Sequence, residues 1–135
     1  MNTHITHTLS ALALIATTSI ANAQENVMTD HTASFIEMPA AAGQTDAFAE
    51  FLAGAAPLVK ETEPGTETWF ALQAGNSLAI FDIFEDENAR NAHFSGVVAG
   101  ALNANADRLV DGGWDAGVVA NINNSDVLSA KAPVD

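Results

Sequence analysis

The sequence predicts an α+β domain, a ferredoxin-like plait in which two helices cover one face of a four-stranded antiparallel sheet. Three observations predict it. Two apolar segments lie in tandem around a short Gly-Asn turn, each side of that pair carries a stretch of helical periodicity, and each end adds one more extended segment. The element order is therefore β, α, β, β, α, β.

The first strand is Ala33 to Met38, a short apolar run stopped by Pro39. Gly43, Gln44, Thr45 and Asp46 open the first helix, in which Phe48, Phe51, Leu52, Ala55 and Val59 recur at three- and four-residue steps and share one face. It should end near Glu61, because Glu63-Pro64-Gly65-Thr66 joins a residue of fixed φ to one that tolerates positive φ, the chemistry of a tight turn. Glu67 to Gln73 and Leu78 to Phe84 form a hairpin across Ala74-Gly75-Asn76-Ser77.

In the second hairpin strand Leu78, Ile80 and Phe84 point one way, while Ala79, Phe81 and Ile83 point the other. Both faces of that strand ask to be covered. A domain of this size has helices for one face only, so a second copy packing sheet to sheet across a two-fold axis, a homodimer, is expected to bury the other.

Glu85-Asp86-Glu87 places acids in the first turn of the second helix, where the macrodipole favours them. Phe94, Val97, Val98, Ala101, Leu102 and Leu109 keep helical phase up to Gly112-Gly113, and Trp114 closes the loop that follows. A last strand is expected within Ile122 to Lys131, centred on Val127-Leu128.

The chain begins differently. Leu9 to Ile20 is an apolar run too short and interrupted to span a bilayer core of roughly 30 Å. Ala21-Asn22-Ala23 supplies an A-x-A cleavage pattern, so residues 1–23 read as a secretory signal peptide, 24–32 as a polar leader and 33–135 as the folded domain. The leading segment departs from the usual pattern in having no Lys or Arg. A secreted or periplasmic protein is expected, with no membrane association after processing.

Composition narrows the chemistry. The formal charge of −13 in 135 residues argues against a nucleic-acid or anionic-lipid partner. With no Cys there is no disulfide, no thiol nucleophile and no Cys-ligated metal site; four scattered His leave little for any metal. No glycine-rich dinucleotide fingerprint, phosphate loop, HExxH helix or nucleophile elbow occurs. No cofactor is expected, so in any oxidation the substrate must supply the electrons.

Three titratable residues are candidates for catalysis. Asp82 sits in the apolar strand between Phe81 and Ile83, where an ionised carboxylate needs a partner, a proton or a cavity. It can tie the strand to a neighbour or do acid/base work. His93, the one imidazole within the regular core, is either a satisfied helix–sheet group or a proton acceptor near neutral pH. Arg90, one helical turn before it, either answers Asp86 or Glu87 or holds an oxyanion. Trp69, Phe70, Phe81 and Phe94 supply aromatic area, either as core filling or as walls of a substrate site.

Glu63-Pro64-Gly65-Thr66, Trp69-Phe70-Ala71-Leu72, Ile80-Phe81-Asp82-Ile83-Phe84, Glu87 with Ala89-Arg90 and Ala92-His93-Phe94, and Asp126-Val127-Leu128 with Ala130-Lys131 carry a resemblance. In this order and spacing, over roughly Ser34 to Pro133, the chain resembles the antibiotic biosynthesis monooxygenase family, in particular its quinol monooxygenase branch, within the dimeric α+β barrel superfamily. The resemblance implies a homodimeric enzyme that oxygenates a small quinol or phenolic aromatic with dioxygen, without metal or flavin. It gives His93 the role of base or phenolate partner, Arg90 that of donor, and Trp69 and Phe81 that of aromatic walls. Tyr, a hydrogen-bonding group in some relatives, is absent here. The alternative is a non-catalytic dimeric module that binds a small apolar ligand. Haem degradation, as in a related barrel, is a third reading that lacks the expected Trp and Asn spacing.

Overall fold

The computed structural model describes residues 30–131. The expected signal peptide, most of the polar leader and Pro133 lie outside the described residues.

Strands β1 (Thr32–Pro39), β2 (Thr66–Ala74), β3 (Ser77–Phe84) and β4 (Ile122–Asp126) form one sheet in the order β2-β3-β1-β4. Every neighbouring pair is antiparallel. Gly75 takes φ +63° at the first of the two residues turning β2 into β3, a position where a type II′ hairpin needs glycine. The α+β plait is as the sequence predicts.

Each expected long helix is two shorter ones. The first divides into α1 (Thr45–Ala53) and α2 (Ala56–Thr62). Gly54 and Ala55 break it, and Pro57 restarts it in the first turn, where a missing N–H costs nothing. The second divides into α3 (Glu87–Phe94) and α4 (Val97–Leu109) at Ser95-Gly96. The Ser95 hydroxyl donates back to the carbonyls of Asn91 and Ala92, competing with the next helical turn. Asp86 caps α3, its carboxylate accepting from the Ala89 N–H at 2.8 Å.

The helices lie on one side of the sheet. Phe48 and Leu52 of α1 and Leu102, Ala106 and Leu109 of α4 form a single core with Ile36, Met38, Leu78 and Ile80. Met38, Phe48 and Leu109 are wholly buried there, each worth about 1.5–3 kcal/mol of transfer free energy. On the opposite side Phe35, Phe70 and Leu72 remain 38%, 52% and 46% exposed. One chain leaves that apolar face uncovered.

After α4, Gly112 and Gly113 both take positive φ and lead into a π-helical turn at Gly113–Val118, where Trp114 packs against the core edge. The last strand lies earlier than expected. Ile122 pairs with Ile36, and the Ser34 hydroxyl donates to Asn124 Oδ1 at 2.7 Å, whereas Val127 and Leu128 follow the strand and Leu128 is 95% exposed. Pairing with β1 overrides the weaker strand propensity of Asn-Asn-Ser.

Candidate active site

Three elements bring three ionisable side chains together inside the protein. Asp82 comes from the helix-covered face of β3, His93 from the last turn of α3, and Glu63 from the turn that ends α2. Their residual exposures are 0%, 4% and 8%. His93 Nδ1 lies 2.5 Å from Glu63 Oε2, which also accepts from the Thr66 hydroxyl at 3.1 Å. His93 Nε2 lies 3.2 Å from Asp82 Oδ2, an ion-pair distance without hydrogen-bond alignment.

Local structure explains the convergence. The Glu63 carbonyl accepts from the Thr66 N–H at 3.0 Å, and the Gly65 carbonyl from the Glu85 N–H at 3.0 Å, which ties the Pro64-Gly65 turn to the end of β3. A Cβ on Gly65 would stand 2.6 Å from the Ala89 Cβ, so only glycine lets this turn approach α3 so closely. Phe84 and Phe94 flank the His93 ring at centroid distances of 5.3 and 5.6 Å. These contacts fix the imidazole between the two carboxylates.

Burial shapes the protonation of the group. Loss of water pushes the Asp82 carboxyl above its ordinary value, and the contact with His93 only partly offsets it. For His93 burial acts downward, yet the contacts with Asp82 and Glu63 outweigh it and hold the imidazole above its usual pKa. The α3 C-terminus also favours a cation there. Both shifts run toward the protonated form, so the unit, an imidazole between two acids, holds protons more tightly than its members would in water.

A pocket of about 220 Å³ opens onto this unit, with Glu63, His93, Gly65, Ala89, Ala92 and Gly96 in its wall. Glu63 Oε1 and both Asp82 oxygens have no hydrogen-bond donor among the described residues. Both ring nitrogens of His93 already face carboxylates. Glu63, the outermost of the three acid/base groups, carries the nearest unsatisfied oxygen to this pocket. The carboxylates meet opposite sides of one ring, so the three side chains do not converge on a common point. Among the described residues no cluster of three or more His, Asp or Glu has the geometry to hold a metal ion.

The expected site residues thus divide. Asp82 and His93 are brought together. Arg90 is not part of the group: its guanidinium pairs with Glu87 at 3.2 Å, the ordinary one-turn helix contact. Trp69 is the cross-strand partner of Asp82 and packs against Ala55, Val59 and Val98, with its indole N–H buried and without an acceptor. Phe70 and Phe81 stack across strands on the uncovered face at 6.5 Å, away from the triad. Phe94 supports His93. None of the four aromatic residues is in the pocket wall. Glu63 was readable in the sequence only as a turn residue; its role depends on where α3 lies.

No protein-family model matches the chain, and no curated protein does. Solved structures do. A protein of unknown function from Nitrosomonas europaea is 39% identical, with a TM-score of 0.70 over 80% of this chain and 99% of that one. Two proteins described as putative antibiotic biosynthesis monooxygenases, from Chloroflexus aurantiacus and Bacteroides thetaiotaomicron, share only the fold. Their identities are 16% and 13% and their TM-scores 0.58 and 0.60, over 76% and 80% of this chain and 98% and 97% of theirs. The chain therefore belongs to the family of the Nitrosomonas europaea protein, and its fold is that of the antibiotic biosynthesis monooxygenases.

Proposed function

We propose that the protein is a secreted or periplasmic monooxygenase that oxidises a small quinol or phenolic aromatic with dioxygen and needs no cofactor. The observation that carries this reading is the buried Glu63–His93–Asp82 unit at the wall of a small pocket. The pocket is smaller than a typical drug-sized site, so it suits the hydroxyl-bearing edge of a single ring. Glu63 is the proton acceptor in this reading, with His93 and Asp82 retaining the proton behind it.

Deprotonation leaves an electron-rich phenolate, which passes one electron to dioxygen. Recombination of the ring radical with superoxide forms a carbon–oxygen bond. Loss of water from the resulting peroxide leaves one oxygen atom on a hydroxyquinone, so the quinol supplies all the electrons. The uncovered sheet face, with Phe35, Phe70 and Leu72, is assigned to a second copy of the chain.

Dioxygen uptake with a panel of quinols tests the assignment. Turnover is expected in the wild type and a loss of at least tenfold in Glu63→Gln and His93→Ala proteins that remain folded. Thermal stabilisation by the quinols without oxygen uptake would instead identify a non-catalytic ligand-binding module.

A further inference from the structure

Gly96, at the break between α3 and α4, has no assigned role in the proton-holding unit, yet the unit rests against it. A Cβ built on Gly96 would stand 2.8 Å from Glu63 Oε1, a separation that real Cβ atoms essentially never show. The backbone φ of Gly96 is −80°, a value open to any residue, so conformational freedom does not call for glycine here. Space does. The same hypothetical Cβ would lie 3.1 and 3.3 Å from the carbonyl oxygens of His93 and Ala92, tight contacts that ask the end of α3 to give by a few tenths of an ångström, less than the carboxylate must.

We propose that Gly96 is a positioning residue: the volume its missing side chain leaves is the seat of the Glu63 carboxylate, which holds Glu63 against His93. The Glu63 carboxylate is the far end of a flexible side chain and must give way the most, whereas the α3 carbonyls need move by only a few tenths of an ångström and α4 is held in the core by Leu102, Ala106 and Leu109. An added methyl group therefore moves the carboxylate more than the helices. Oε1 swings away from the α4 N-terminus and takes Oε2 off His93 Nδ1. The imidazole then keeps Asp82 as its one facing acid. The groups that face His93 from the elements packed on it are Glu63, Asp82, Phe84 and Phe94, and only the first is displaced.

The link to catalysis rests on the function proposed above, but the test does not. The His93 ring is titrated by NMR in the full processed chain without substrate. Gly96→Ala is expected to raise the proton dissociation constant of His93 about tenfold, the effect of losing one charge-assisted hydrogen bond after partial compensation by water. Val97→Ala, next along the chain and exposed, should leave it unchanged. Glu63→Asp introduced into Gly96→Ala should restore part of the wild-type value, because the shorter acid clears the methyl group.

An unchanged His93 titration in folded Gly96→Ala overturns the proposal. If Gly96→Ala does not fold, the double variant Glu63→Ala, Gly96→Ala decides: recovery of folding supports the proposal, and failure there assigns the clash to the backbone carbonyls and overturns it. Should the wild type oxidise no quinol while these titration shifts occur, the functional reading falls and the positioning role stands.

Discussion

Removing the imidazole at position 93 is the sharpest perturbation of this fold, because it strands two acids at once. In His93→Ala, Asp82, with no exposure, and Glu63, with 8%, lose the imidazole between them. Thr66 still donates to Glu63, but nothing among the described residues donates to Asp82. Leaving a buried charge without its partner costs about 3–5 kcal/mol. Asp82 can limit that cost by taking up a proton, so we expect the lower value, about 3 kcal/mol at neutral pH. For a domain of this length each kcal/mol is worth roughly 4–8 °C in Tm, which gives a fall of roughly 12–24 °C.

Calorimetry or chemical denaturation measures this directly. Asp82→Asn provides the internal control. It removes the worst of the stranded charges, so the double variant should be more stable than the sum of the single effects by more than about 1 kcal/mol. If His93→Ala costs less than about 1 kcal/mol, or the two substitutions add without coupling, the buried ion unit described here is wrong.

Two further outcomes follow from the same structure. Asp82 and His93 both hold protons more tightly in the folded chain than in the unfolded one. Each therefore contributes stability below its unfolded pKa, 3.8 and 6.5, that is lost as pH rises through the folded value. The Tm should decline as pH is raised above 6.5, and a flat or rising profile there would contradict the His93 assignment. On the uncovered face, Phe70→Glu places a charge in the Phe70–Phe81 stack at a position 52% exposed in one chain, so the fold should survive while a wild-type dimer dissociates in sedimentation. Persistence of the dimer, or a monomeric wild type, would remove the second copy from that face.

The period-two pattern of β3 put Leu78, Ile80 and Phe84 on one face and Ala79, Phe81 and Ile83 on the other, and the three- and four-residue steps put Phe48 with Leu52, and Leu102 with Leu109, each pair on one helical face. The structure agrees on both. It differs where local signals compete: Pro57 and Ser95-Gly96 cut each long helix in two, and β4 follows the pairing of Ile122 with Ile36 rather than the apolar Val127-Leu128. For the site, Asp82 and His93 were legible because a polar group on an apolar strand and a single imidazole in a core are conspicuous in one dimension. Arg90 was equally conspicuous, and Glu87 simply lies nearer.

The sequence by itself determined the α+β plait and its strand alternation and singled out Asp82 and His93 as candidates, since periodicity and a polar group within an apolar run are read from residues a few positions apart. Only the tertiary structure decided that Glu63, thirty residues before His93, completes the proton-holding unit and that its carboxylate fits the space at Gly96. Side-chain period predicts which way a residue faces, whereas a contact between two buried groups depends on how whole elements pack, and close packing leaves one arrangement in which all three acid/base groups find each other.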